Sequence, residues 1–280
     1  MISDRHLAWA RRGAALLMVA CGLSPALAEP LSEEAAIARG TAIAERADAQ
    51  GQGYGDVQSS MTMVLHTPAG DEAVRVLRSR AMEGADGRDR SLIIFDEPRD
   101  VAGTALLTHA NPDGDDGRWL YLPSVNRVKR IASSGQSGAF MGSEFSYEDL
   151  GPQDISKYRF KWVRDEPLDG TAMHVLERTP KDPDSGYARQ VVWMDQANLR
   201  LHKVAFYDRR DRLQKTLTAE GFTQHDGRYW RPLQLEMRNH QSGRSTTLRF
   251  ENYRFDAGWH YGLPELVWDQ PGRRIANPGR

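Results

Sequence analysis

The sequence predicts a mainly β (α+β) fold: a strongly curved antiparallel sheet of about ten or eleven strands. The sheet forms a half-open barrel, with an N-terminal helix and a short helical lid covering the mouth. Three observations carry this expectation. From the end of "GQGYG" to about residue 254 the dominant hydropathy period is two. Polar turns recur at Gln196-Ala197-Asn198, Arg209-Arg210-Asp211, His225-Asp226-Gly227 and Gln241-Ser242-Gly243, with centres 13, 16 and 16 residues apart. That is the spacing of an antiparallel meander of long strands. Only two segments look helical, so so large a sheet has to curl rather than be covered.

In chain order, the first element is an export signal. Arg5, Arg11 and Arg12 precede the apolar run "GAALLMVACGL", and "ALA" at 26–28 offers small residues for cleavage after Ala28. The run is shorter than the roughly 20 apolar residues that span a bilayer. Residues 1–28 are therefore read as a signal peptide and 29–280 as a single domain. Cys21, the only cysteine, follows "MVA", a weak likeness of a lipidation site in which Met18 stands where Leu is usual. Cleavage after Ala28 removes it and excludes disulfide, thiol and cysteine–metal chemistry from the mature chain. Of the 37 basic and 38 acidic residues, the first 28 positions hold three Arg and one Asp. The remaining 34 and 37 give a formal charge of −3, which has no bulk attraction for nucleic acid.

After Pro30, "SEEAAIARGTAIAERADA" predicts a helix with Ser32 as N-cap, Glu33 and Glu34 in its first turn, and a stripe of Ile37, Thr41, Ala44 and Ala47. In "DVQSSMTMVLHT", Met61, Met63 and Leu65 share a face with Val57. "TPAGD" then turns the chain back through "EAVRVLRSRAM". "SLIIF" and "TALLTH" read as fully buried strands, and "GRWLYLP" sets Leu120 and Leu122 against Trp119 and Tyr121. In "RYWRPLQLEMRN", Leu233, Leu235 and Met237 share one face. In "STTLRFENY", Leu248 and Phe250 oppose Arg249 and Glu251. The last 26 residues break the alternation with Pro264, Pro271 and Pro278, and Trp259, Tyr261 and Trp268 suggest a strap.

The apolar face of such a sheet is either a filled core or the wall of a cavity. A cavity suits an acyl chain, at about 0.8 kcal/mol for each CH₂ removed from water. The wall residues expected are Met61, Met63, Leu65, Leu120, Leu122, Leu233, Leu235 and Met237, with Phe140, Met141 and Phe145 at the entrance.

Those last three belong to "FMGSEFSYEDL", in which three carboxylates, two hydroxyls and three aromatic rings occupy eleven positions. Gly142, Ser143, Glu144, Ser146, Tyr147, Glu148 and Asp149 are read as a lid, with Ser146 capping a short turn and the aromatic residues packing into the barrel mouth. The competing reading is an acid–base pair, Glu144 with Glu148, in a hydrolase. "GQSGA" around Ser137 has the spelling of a nucleophile elbow without the strand and helix that motif needs. "RVKRIA" places Arg127 and Lys129 on one face and Arg130 on the other. It is either a solvated edge or a contact for lipid head groups or an acidic partner. His66, His109, His174, His202, His225, His240 and His260 are scattered, so neither metal nor cofactor is expected.

"GRWLYLPSVNRVKRI", "FMGSEFSYEDL" and "VVWMDQANLRLHKVAFYDRRDRLQK" together resemble the longer branch of the LolA-like outer-membrane lipoprotein-sorting family, over nearly all of the mature chain. The resemblance implies a periplasmic, non-catalytic carrier whose half-barrel holds lipid or lipoprotein acyl chains. It also implies transient membrane-surface contact and an RND-type inner-membrane exporter as a partner. The chain is much longer than the founding lipoprotein carrier, and the resemblance does not place that carrier's acyl-contacting residues on it. The cargo is left open among lipoprotein, sterol, hopanoid-like lipid and phospholipid. A protein-binding adaptor or sensor without lipid is the remaining alternative.

Overall fold

The computed structural model describes residues 31–84 and 87–258. The signal peptide, Cys21 and the C-terminal strap lie outside them. Among the described residues one α-helix, α1 (Glu33–Gly51), precedes fifteen strands. The first six are β1 (Asp56–His66), β2 (Glu72–Met82), β3 (Arg90–Glu97), β4 (Ala105–His109), β5 (Gly117–Leu122) and β6 (Arg127–Ile131). After a long connection come β7 (Tyr158–Leu168), β8 (Thr171–Pro180), β9 (Tyr187–Asp195), β10 (Leu201–Asp208) and β11 (Leu213–Glu220). A small hairpin, β12 (Thr223–His225) with β13 (Tyr229–Arg231), interrupts the meander before β14 (Gln234–Asn239) and β15 (Ser245–Phe255).

Thirteen strands form one sheet in the order β6-β5-β4-β3-β2-β1-β15-β14-β11-β10-β9-β8-β7, and every neighbour is antiparallel. The expected count of ten or eleven was low. Hairpin connections build two halves outward, and β1 pairs with β15 to join them, Met61 opposite Phe250 and Met63 opposite Leu248. The edges are β6 and β7, and residues 132–157 run from one to the other. Side chains link the two edge regions. Arg118 donates to Gln136 at 3.0 Å, Gln136 donates to Asp182 at 2.7 Å, and Lys157 pairs with Asp116.

The alternation appears as rows of side chains crossing strands. Met63, Leu248, Leu235 and Ala219 lie opposite one another across β1, β15, β14 and β11. Met237, Leu217, Val204, Val192 and Leu176 continue across β14 to β8. In β3 and β4 both faces are apolar. Ile93, Phe95 and Leu106 join the main cluster, while Leu92, Ile94, Ala105 and Leu107 pack on the other face with Trp119 and Tyr121. The second face of β8–β10 likewise buries Val175, Val191 and Ala205 beside Trp193 and Tyr207. Lys203 and Arg189 lie over those two rings.

Ser32 caps α1, its hydroxyl accepting from the Ala35 N–H at 3.2 Å. The buried stripe is Ala36, Gly40, Ile43 and Ala44, and Ile37 is 44% exposed. Of the expected stripe, Ala44 is buried and Ala47 packs beside it, whereas Ile37 is replaced on the buried face by Ala36, and Gly40 joins it where α1 meets β7. A Cβ on Gly40 would lie 2.5 Å from the Trp162 nitrogen and 2.6 Å from the Lys161 carbonyl carbon, backbone atoms that cannot swing aside. Gly40→Ala is expected to cost about 2 kcal/mol, because clashes with fixed backbone put the overpacking at the upper end of its range. Overpacking of about 1–3 kcal/mol outweighs a helix-propensity gain of about 1 kcal/mol. Thermal unfolding checks this, and a variant as stable as the parent would contradict the close packing.

Candidate functional site: an apolar cavity and its fixed closure

The inner rows do not fill the space they enclose. A cavity of about 610 Å³ remains. Met61, Met63 and Leu77 supply one part of its wall, Val204, Phe206 and Leu217 another, and Leu235, Met237, Leu248 and Phe250 the strip between. Polar breaks in the wall are satisfied locally. The Ser59 and Ser79 hydroxyls bond each other across β1 and β2 at 2.7 Å, and Gln190 accepts from Arg178 at 2.7 Å. Such a space expels water at its walls and offers an acyl chain dispersion contacts on all sides.

One end is closed by the connection between the edges. Met141 and Gly142 both have positive φ, 49° and 76°, and they turn the chain so that the Phe140 N–H meets the Phe145 carbonyl at 2.8 Å. Phe140 and Phe145 are 0% and 2% exposed. Phe140 packs against Phe95, with ring centres 5.5 Å apart, and edge-on against Tyr147. Ser146 then N-caps the single 3₁₀ turn Tyr147–Asp149, and the Asp149 carboxylate accepts from the Ser146 N–H at 2.7 Å.

Distant strands hold every part of this loop. Arg75 donates to the Met141 carbonyl at 2.5 Å. The Glu144 N–H donates to Thr246, while the Glu144 carboxylate takes Asn239 at 2.7 Å and Arg244 at 3.2 Å. Lys215 donates to Asp149 at 2.7 Å and to the Glu144 carbonyl at 3.1 Å, with both charged side chains nearly buried. The Tyr187 hydroxyl donates to Asp149 at 2.9 Å. Burial, followed by the Asp149 and Glu148 charges, pushes that phenol well above its ordinary range. Burial, reinforced by Asp149, also raises the Glu148 carboxyl, whose two oxygens accept from Ser185 at 2.9 Å and from the Gly186 N–H at 3.0 Å. The loop is bonded on several sides, and Phe140 and Phe145 are buried within its packing.

Glu144 is drawn to Asn239 and Arg244 and Glu148 to the β8–β9 connection, with no hydrogen bond between them and all four oxygens engaged. Ser137 lies on an exposed turn with no helix after it. No group of three or more metal-ligating side chains occurs among the described residues.

The other end is framed by the last turn of α1, the β9–β10 turn and the β12–β13 hairpin, which bring Gly51, Tyr54, Leu199, Arg200, Trp230 and Arg231 to the cavity. Asp195, fully buried, organises the β9–β10 turn. It accepts from the Asn198 N–H at 2.6 Å, Arg200 Nε at 2.8 Å and His202 Nε2 at 3.1 Å. Burial works against its charge, yet these donors hold its carboxyl below the usual range.

Of the expected wall residues, Met61, Met63, Leu235, Met237, Phe140 and Phe145 touch the cavity. Leu65 and Leu120 are buried in the same cluster behind it, and Leu122 and Met141 pack against that cluster. Leu233 is 39% exposed and points away. Pro232 ends the hairpin, the Leu233 N–H bonds Glu220 at 3.0 Å, and β14 begins one residue later. Glu148 and Asp149 reach the cavity and Glu144 does not. Arg127, Lys129 and Arg130 are exposed on the edge strand β6. Sequence reasoning did not place Leu217, Ala219, Phe206 or the Tyr54–Trp230–Arg231 end on the wall. Leu248 and Phe250 carried a signal, the alternation in β15, without being assigned to the site.

The comparisons with known proteins agree with this architecture. A family profile described as "Uncharacterized protein" matches residues 87–262. No curated protein matches the chain. Among solved structures, a domain described as an outer membrane lipoprotein-sorting protein from Vibrio parahaemolyticus is 45% identical, with a TM-score of 0.79, over 80% of this chain and 95% of that one. A DUF1329 family protein from Desulfovibrio piger is 32% identical over the same shares, with a TM-score of 0.76. A LolA superfamily protein from Nitrosomonas europaea shares the fold at 24% identity and a TM-score of 0.62, over 77% and 92%. The chain belongs to the LolA-like family of outer-membrane lipoprotein-sorting proteins.

Proposed function

We propose that this protein is a periplasmic carrier that takes a lipid, or an acyl chain of a lipoprotein, into its cavity and moves it between membranes. The cavity carries the proposal. Its volume of about 610 Å³ falls within the roughly 300–1,000 Å³ of small-ligand sites. Transfer of a sixteen-carbon chain from water into such a wall is worth about 12 kcal/mol before binding costs. The links between the β5–β6 and β7–β8 regions support a sheet curled into a half-open barrel, a single domain from about residue 29. The relative described as a lipoprotein-sorting domain supports acyl cargo, and the export signal supports the periplasm. No helix among the described residues is long and apolar enough to cross a membrane, which suits a shuttle that touches membranes transiently. Arg127, Lys129 and Arg130, exposed on an edge, are the surface we assign to an acidic partner such as an RND-type exporter.

Gently purified protein is expected to carry extractable acyl lipid at close to one equivalent by mass spectrometry, or to acquire it from vesicles. Protein that is lipid-free and takes none from vesicles would overturn the carrier reading.

A further inference from the structure

The open end of the cavity holds more than apolar side chains. Five arginines line the cavity, Arg80, Arg178, Arg200, Arg228 and Arg231, and the last three come to this end on the β9–β10 turn and the β12–β13 hairpin. Arg200 is neutralised by Asp195. Arg228 and Arg231 have no carboxylate within ion-pair distance among the described residues. Arg231 is half-buried in a box of rings, its guanidinium carbon 5.5 Å from the centre of Tyr54, 5.4 Å from Phe255 and 5.9 Å from Tyr229. Its one hydrogen bond goes to the neighbouring Trp230 carbonyl at 3.0 Å, although a guanidinium has five N–H groups to place. Burial lowers its proton affinity, the direction expected of a cation short of counter-charge. The acid that acts on it from nearby, Glu83, is turned onto the Gly53 and Gly55 N–H groups at 2.6 and 2.9 Å. Arg228 lies over Tyr229 and donates to the Gln52 carbonyl at 2.7 Å, leaving its remaining donors toward solvent.

Aromatic faces hold these guanidinium groups in place without neutralising them, and a fork of fixed donors beside an apolar cavity matches a phosphate or carboxylate. The cavity volume narrows the other half of the ligand. A volume of about 610 Å³ is within the roughly 300–1,000 Å³ of small-ligand sites and has room for one long acyl chain.

We propose that the cargo is an acidic amphiphile, with one long acyl chain in the cavity and its phosphate or carboxylate head group on Arg231 and Arg228. This rests on the carrier reading and adds a head-group requirement to it.

The test uses three amphiphiles of equal chain length: palmitate, 1-palmitoyl-lysophosphatidate and uncharged 1-palmitoylglycerol. Each is titrated into the purified full-length chain below its micelle concentration. The two acidic lipids are expected to bind at least about 10-fold more tightly than the neutral one. Arg228→Gln/Arg231→Gln is expected to weaken the acidic lipids by about 100-fold and to leave the neutral lipid unchanged. Unchanged affinity for 1-palmitoylglycerol also reports that the variant is folded. The exposed Arg228→Gln alone, expected to lose about 10-fold, is a second variant if the double one unfolds. Equal affinities in the parent, or a preference that survives both variants, overturns the head-group assignment while the carrier reading stands. Displacement of palmitate by inorganic phosphate alone at millimolar concentration would point to a free anion and also overturn it. Failure of all three lipids to bind removes the carrier reading and this one together.

Discussion

Lys215→Met is expected to destabilise the protein by about 3–5 kcal/mol, because it leaves the Asp149 carboxylate buried without its cation. The ammonium and carboxylate are 5% and 6% exposed and 2.7 Å apart, so water screens little of their attraction. Lys215 also bonds the Glu144 carbonyl and lies against the rings of Tyr187 and Phe206, at 5.2 and 5.4 Å. Its loss therefore releases both the acidic turn and the strand beneath it. For a chain of this size the change corresponds to about 10 °C in melting temperature. The double variant Lys215→Met/Asp149→Asn should recover part of the loss, since it removes the stranded charge. A denaturant titration of the parent and both variants reads these differences. A single variant within about 1 kcal/mol of the parent would mean that the loop is not tied down by this pair.

The second large effect is on binding. Ala219 is 5% exposed and forms part of the cavity wall, opposite Leu235. Ala219→Trp places an indole where a cargo chain would lie. Acyl-lipid affinity should fall by about 100-fold, with stability within about 1–3 kcal/mol of the parent, because the ring enters space that is already empty. Lipid retention and a melting curve on the same preparation check both parts. Full retention by a folded variant would place the cargo elsewhere.

The alternation was the legible part of this molecule. Met61, Met63, Leu235 and Met237 lie on the wall because a period of two fixes a face once one strand is placed. Leu233 failed for a local reason: it follows Pro232 in the run-in from the β12–β13 hairpin, so the face it was assigned does not yet exist there. The helix stripe held at Ala44 and Ala47 and missed at Ile37, which hydrophobicity favoured, whereas close packing on β7 selected Ala36 and Gly40. The loop from Phe140 to Asp149 announced its cap, since Ser146 and Asp149 are three residues apart. It did not announce its fixity, which comes from Arg75, Lys215, Asn239 and Thr246, partners 66 to 102 residues away. The arginine end was hidden for the same reason. Arg231 meets Tyr54 and Arg228 meets Gln52 only when the hairpin folds over the end of α1.

The pairing of β1 with β15 sets a schedule for assembly. β1 obtains its second neighbour only when nearly the whole chain has been made, and Met61 must wait for Phe250. Closing so long a loop before any contact rewards it makes folding slow and late. The first half of the sheet must spend that interval with one side of β1 open to stray pairing. The seam that joins the two halves is therefore the last part of the sheet that a growing chain can complete.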